Sequence, residues 1–358
     1  MKESYRPEWP SKTDYAIGIC GAGGIVNDAH LPAYRKAGFR VDCIYDVDRS
    51  RAEETAARFE IPRVCDSLES LAEAVDIVDV AVPAWENGRV VEVLTEAGVG
   101  LLLQKPLAED WQTALSTVER IRSAGLTAAV NQQMRWEPGV RSCRNLLSQG
   151  VLGALYDVAF QIYVDTPWHL WGWLSQKETI EVLYHSIHYL DAIRYLTGCE
   201  PHSIYCSGSR RPGYAAKGET RTCTHLTFPD DLRATVLCNH HVEWGRSGQQ
   251  SEFRIDATDG MAVRQLGLLL NYPSGEPDAL RYITRADGQW REATFEETWF
   301  PDAFVGPMTS LMRAMNGEIL KPETDVEDNL HTLRLVFAAY ESMQTGNAID
   351  LRHPSWQI

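Results

Sequence analysis

The glycine turn at residues 21–24 constrains this chain more than any other feature. An apolar run (Ala16, Ile17, Ile19) leads into Gly21-Ala22-Gly23-Gly24, and a helical pattern follows to Tyr34. Strand, tight glycine turn, helix is the order that lets a backbone approach a pyrophosphate and offers it free N–H groups at a positive helix end. A second strand pattern ends in Asp46, at about the twenty-residue spacing at which a carboxylate accepts hydrogen bonds from ribose hydroxyls and repels a 2′-phosphate. Gly21, Gly23, Gly24, Ile25, Val26 and Asp46 therefore read as a dinucleotide cradle that favours NAD over NADP. Arg49 reads with these as a cofactor-binding residue; Arg49 and Arg51 temper the NAD preference, and Val26 stands where a third glycine would allow tighter packing.

Strand patterns at 15–20, 40–45, 76–82, 99–103 and 127–131 alternate with helix patterns at 24–37, 49–59, 86–97 and 108–124. Such alternation predicts a parallel sheet covered on both faces. Ligands of these sheets bind beyond the strand C-terminal ends, which places Val82, Pro83 and the Gln104-Lys105-Pro106 turn beside the cofactor. After Pro138 the pattern changes. A helix (138–149), a long strand (154–164), a tryptophan-rich loop and a helix (178–197) precede strand-like runs at 223–228, 234–242, 252–257 and 266–272. Short polar turns between these runs predict a mostly antiparallel sheet. Helices return at 301–316 and 325–344. The expected fold class is α/β. An extension (1–13) precedes a Rossmann dinucleotide-binding domain (14–135) and an α/β domain with a large, mostly antiparallel open sheet (136–358).

The chain has 358 residues, of which 44% are hydrophobic, enough for two cores. A net charge of −15 without a basic run argues against nucleic acid and anionic membranes. No apolar stretch is long enough to span a bilayer, and the polar start MKESYRPEWPSKTD lacks a signal-peptide core. A cytoplasmic location is expected. The eight cysteines are scattered without a C-x-x-C pair, so they read as reduced and mostly buried, not as disulfides or a zinc site.

Several short motifs, in order, give the chain a resemblance to the glucose–fructose oxidoreductase / inositol dehydrogenase / MocA (Gfo/Idh/MocA) family. They are the glycine turn with His30-Leu31-Pro32-Ala33, Gln104-Lys105-Pro106-Leu107-Ala108, the run from Asn131 to Pro138, Gly150 with Gly153, His188-Tyr189-Leu190-Asp191, and Glu341-Ser342 before Gly346. The resemblance implies an NAD(P)-dependent oxidoreductase acting on sugars, cyclitols or their glycosides. It also implies a homodimer or homotetramer formed through the C-terminal sheet. It assigns Lys105 to the reacting hydroxyl and aligns His188 with the family histidine. It puts Asn87, and on weaker grounds Trp85, near the cofactor.

Two positions depart from the family pattern. Its glutamate before the lysine is Gln104 here, and its aspartate four residues before the histidine is Tyr184. A neutral Gln104 removes a charge that would hold Lys105 protonated. Tyr184 cannot serve as a carboxylate relay, which leaves Glu181 or His185 for that function. On an α-helix Glu181, Tyr184, His185 and His188 share one face. Glu181, His185 and His188 are also a metal-competent set, with His225, His240 and His241 on nearby strand candidates, although no metal is expected. Trp168, His169, Trp171 and Trp173 read as a substrate loop, since aromatic faces pack on sugar C–H faces. Arg135 suits either an anionic substrate or a structural ion pair.

Three activities fit these residues. One is a dehydrogenase taking hydride from a sugar or cyclitol carbinol. Another is a redox-neutral glycosidase working by transient oxidation, elimination, water addition and re-reduction. The last is an inactive sugar sensor, which the survival of Lys105 and His188 argues against.

Overall fold

The computed structural model describes residues 5–272, 275–356 and 358. The chain divides into two compact units. One comprises Arg6–Glu137 and Glu297–Leu330; the other comprises Met1–Tyr5, Pro138–Glu296 and His331–Ile358.

The first unit holds a six-stranded sheet: β1 (Ile17–Cys20), β2 (Val41–Tyr45), β3 (Arg63–Val64), β4 (Ile77–Val80), β5 (Gly100–Leu103) and β6 (Ala128–Val130). The order β3-β2-β1-β4-β5-β6, parallel throughout, puts the topological switch between β1 and β4. That is where such sheets open a ligand crevice. β1, β4 and β5 are buried along their whole lengths, as expected of strands covered on both faces. Beneath them His30 Nδ1 lies 2.6 Å from Asp79 Oδ2, which also accepts the Tyr34 hydroxyl at 2.7 Å. Asn131 Nδ2 lies 3.2 Å from His30 Nε2. This buried network ties the helix after the glycine turn to β4 and to the end of β6.

The predicted boundary at 135 accounts for only part of this unit. The helix Val305–Met315 packs on β5 and β6, and Phe304, Met308, Leu311 and Met312 share one core with Ile17, Ile19 and Tyr34. Local periodicity marks this segment as a helix but carries no information about which core it completes.

The second unit holds a nine-stranded sheet. Its strands are β7 (Leu155–Tyr163), β8 (Ser203–Ser209), β9 (Arg221–Thr227), β10 (Arg233–Asn239), β11 (Gln250–Ala257), β12 (Gly260–Gln265), β13 (Ala279–Thr284), β14 (Arg291–Ala293) and β15 (Ile349–Asp350), in the order β14-β13-β12-β11-β7-β10-β9-β8-β15. Among the described residues of this sheet, only β10 and β7 pair in parallel. Side chains of β7, β9 and β10 alternate between buried and partly exposed, as in a sheet with one covered face. The helix Ile187–Thr197 packs against β7 and β10 on that face. The run 266–272, expected as a strand, is a turn instead. A Cβ on Gly267 would lie 1.9 Å from the Glu276 carbonyl, and Asn271 has φ of +57°. Leu266 and Leu270 are buried there as plugs, which is why the run reads as apolar.

Candidate functional site

The candidate cofactor site lies at the β1/β4 switch. Gly21 has φ of +107°, and a Cβ there would meet the Ala81 carbonyl at 2.6 Å, so only glycine fits. A Cβ on Gly23 would meet nothing within 4 Å, which leaves the backbone open to a ligand. A cavity of about 600 Å³ adjoins the turn, lined among others by Gly23, Gly24, Asn27, Arg51, Thr55 and Arg58. Asn27 Nδ2 donates to the carbonyls of Ala22 (3.2 Å) and Gly23 (3.1 Å) and fixes the turn. Asp46 accepts the Ala22 N–H at 2.7 Å and the Asp48 N–H at 2.8 Å, which leaves lone pairs for ribose hydroxyls. Val26 is fully buried and Ile25 packs against the same core.

Arg49 does not turn toward the cavity. It pairs with Glu53 and Asp66, while Arg51 and Arg58 line the pocket. From sequence Arg49, and not Arg51, counts among the cofactor-binding residues; their positions on the helix Arg49–Phe59 separate them.

Beyond β5 the chain enters the Gln104-Lys105 turn. Lys105 is partly buried, and burial brings its ammonium from 10.5 down to about 8. Asn87 is fully buried and donates to the Leu107 carbonyl at 3.0 Å, so it braces the lysine turn from the neighbouring helix. Gln104 Oε1, Asn87 Oδ1, Asn131 Oδ1 and both terminal atoms of Gln132 are buried without a protein hydrogen-bond partner. Orphaned buried polar groups are costly and mark ligand positions. Amides of this kind suit the ribose and carboxamide of a nicotinamide. Val82 is partly buried, whereas Pro83 and Trp85 are exposed. Arg135 takes the structural option: it donates to the Glu323 carbonyl at 2.6 Å and pairs with Asp328 at 2.5 Å.

A second group of candidates belongs to the nine-stranded unit. Val182–Ser186 is a π-helical turn, not the α-helix on which a shared face of Glu181, Tyr184, His185 and His188 would rest, and Glu181 and His185 both meet His240. In that geometry residue i meets i+5, and Ser186 Oγ donates to Glu181 Oε1 at 2.7 Å. Thr222 donates to Oε2. Burial alone would push the Glu181 carboxyl up, but His240, Ser186 and Thr222 outweigh it and hold the group below its usual value. Tyr184 and His188 are buried and His185 is half-buried. His185 lies 4.6 Å, ring to ring, from His240.

Trp168 is the member of the aromatic loop that joins this cluster. It is buried, and its ring lies 5.9 Å from His185, 5.8 Å from His240 and 6.0 Å from His241. Trp173 packs edge-on against Tyr184 at 5.4 Å, Trp171 packs on Tyr272, and His169 is exposed. Burial, followed by the neighbouring imidazole of His240, lowers the His241 pKa to about 4, and His241 Nε2 lies 2.8 Å from Thr220 Oγ1.

Sequence reasoning missed Glu219, Thr222 and Cys238. Glu219 Oε1 accepts the N–H groups of Ile180, Glu181 and Val182 and the Tyr340 hydroxyl. It thereby anchors the start of the helix that carries the histidines. No motif marks it; only its fold partners do.

A glycine turn at the switch point of a parallel sheet, a lysine of lowered pKa and a second sheet-based unit define a two-unit dinucleotide-dependent oxidoreductase. Residues 15–132 match the family described as "Oxidoreductase family, NAD-binding Rossmann fold" and residues 140–263 match "GFO/IDH/MocA C-terminal domain". The chain belongs to the Gfo/Idh/MocA family, and its first unit is an NAD-binding Rossmann domain. It is 26% identical to a D-apiose dehydrogenase of Paraburkholderia graminis over 92% of this chain and 88% of that protein. It is also 26% identical to a 2,7-anhydro-N-acetylneuraminate hydratase of Escherichia coli, over 64% of each chain. An oxidoreductase from Agrobacterium radiobacter, solved in complex with NAD+, L-tartaric acid and magnesium, superposes with a TM-score of 0.80. It shares 20% identity and covers 95% of this chain and 99% of its own. Among the described residues no helix is long and apolar enough to cross a membrane.

Proposed function

We propose that this enzyme oxidises a carbinol of a sugar, sugar acid or cyclitol, passing hydride to NAD. The observation that carries this reading is Lys105: an amine brought to about 8 at the end of a cofactor-binding strand, among buried amides without partners. Oxidation of a carbinol sends hydride from its C–H to the nicotinamide and the hydroxyl proton to a base. A neutral Lys105 accepts that proton, and the resulting ammonium stabilises alkoxide character. His188 is a second acid–base candidate of this chain. Trp168 and Trp173 supply apolar faces for a sugar ring. The D-apiose dehydrogenase relative supports the substrate class.

A second reading is favoured by one observation. The relative named as a 2,7-anhydro-N-acetylneuraminate hydratase supports it. Tyr184, His185 and His188 on one turn provide more proton-transfer groups than a plain oxidation needs. In this reading transient oxidation acidifies a neighbouring C–H, the aglycone is eliminated, water adds, and the carbonyl is reduced back.

One experiment separates the two. The protein is incubated with sugars, uronates, sulfosugars and nitrophenyl glycosides, with and without NAD, while NADH and aglycone are followed together. Stoichiometric NADH supports the dehydrogenase and excludes the glycosidase. NAD-dependent aglycone release without net NADH would exclude the dehydrogenase and support the glycosidase.

A further inference from the structure

We infer that the nine-stranded unit contains a zinc site formed by Glu181, Cys238 and His240. Among the described residues these three form the group of ligands that could close on one ion: their carboxylate oxygen, sulfur and imidazole nitrogen all lie within 4.8 Å of one another, and all three residues are buried. A tetrahedral zinc ion with bonds of about 2.0–2.3 Å holds its ligand atoms roughly 3.3–3.8 Å apart. His240 Nε2 already stands 3.6 Å from Glu181 Oε1. That is too long for a hydrogen bond and right for two ligands on one ion.

An independent observation points to a ligand. His240 is 3% exposed, yet its Nε2 has no hydrogen-bond partner. Its other nitrogen, Nδ1, lies 2.7 Å from Thr166 Oγ1. With Nδ1 engaged by Thr166, Nε2 is the nitrogen left to take an ion held between it and the carboxylate. This is how zinc-binding histidines are oriented, with the far nitrogen held by an oxygen. The carboxylate is held in the same manner, by Ser186 on one oxygen and Thr222 on the other. A carboxylate has about four lone-pair directions, so both bonds survive metal binding.

The fold builds the site on rigid elements. Cys238 lies on β10 and His240 just past its end, two residues apart on one face. Thr222 stands directly across from Cys238 in the β9/β10 register. Glu181, at the head of the π-helical turn and bonded by its Ser186, completes the set. Thiolate, imidazole and carboxylate together select zinc among common divalent ions, and three protein ligands leave the fourth position to water or a hydroxyl. On zinc binding the Cys238 thiol would release its proton to solvent as the thiolate bonds the ion. None of this depends on which carbinol is oxidised.

The test uses the full chain. Protein stripped with a chelator is titrated with Zn2+, read by metal analysis, and separately with Co2+, read by absorption. We expect one zinc per chain and a sulfur-to-cobalt charge-transfer band. Cys238→Ser should abolish the band, and His240→Gln should weaken zinc binding at least 100-fold. Thr166→Val, which removes only the support of the imidazole, should weaken it by roughly 10- to 100-fold. Cys223→Ser, on the exposed cysteine, should change neither readout. The inference is overturned if no stoichiometric zinc binds, if the cobalt band survives Cys238→Ser, or if Cys223→Ser removes it. Should Cys238→Ser fail to fold, His240→Gln decides: unchanged zinc affinity refutes the site.

Discussion

At the scale of single residues, the proposed chemistry turns on Lys105. Burial lowers its pKa from 10.5 to about 8, and the base must be the neutral amine. Oxidation should therefore accelerate as pH rises and level off above about 8. A pH profile of kcat/KM should show this limb in the native protein and lose it in Lys105→Met, with activity down by about 10²–10⁴. The adjoining Gln104 is a neutral residue at a position the family fills with glutamate. Gln104→Glu would place a carboxylate beside the amine and stabilise the ammonium. The limb should then move to higher pH. If it stays in place, a charge at position 104 does not act on this lysine.

At the scale of elements, the π-helical turn Val182–Ser186 decides which face each candidate shows. α-Helical spacing predicts one shared face for Glu181, Tyr184, His185 and His188. The widened turn sets Ser186 against Glu181, which Thr222 also bonds, while Glu181 and His185 both meet His240. Glu219 holds the start of this turn through three backbone N–H groups and receives the Tyr340 hydroxyl at 2.7 Å. Its removal leaves several buried donors unsatisfied, so Glu219→Ala should cost about 2 kcal/mol or more. Denaturant unfolding reads that loss directly. Glu219→Gln keeps an acceptor oxygen and should lose less. Equal losses would show that the anchor depends on charge, not on hydrogen-bond geometry.

At the scale of the whole molecule, the parallel-sheet unit is completed by a segment far away in sequence. Phe304, Met308, Leu311 and Met312 are buried in its core with Ile17, Ile19 and Tyr34. A chain ending at Glu137 would expose that apolar surface, and buried side chains of this size each contribute about 1.5–3 kcal/mol. Such a chain should not fold cooperatively, whereas linking 297–330 to it should restore a thermal transition; circular dichroism checks both. A stable fragment 6–137 would mean that the segment only decorates the unit.

The sequence alone determined the glycine cradle, Asp46 as its acidic partner, the alternation that builds a parallel sheet, and Lys105 at the end of β5. These are local: a turn, a period and a motif each lie within a few tens of residues, and backbone sterics read them without help from distant chain. Three matters waited for tertiary structure. Arg135 holds Asp328, Trp168 joins three histidines, and Cys238, expected as an inert buried thiol, meets Glu181 and His240. The first joins a short turn at Gln133–Trp136 to the helix Val326–Thr345, and the other two depend on strand register and on one non-α turn; all bring together side chains far apart in sequence. Periodicity reports which face of an element is apolar. It does not report what the opposite element places against that face.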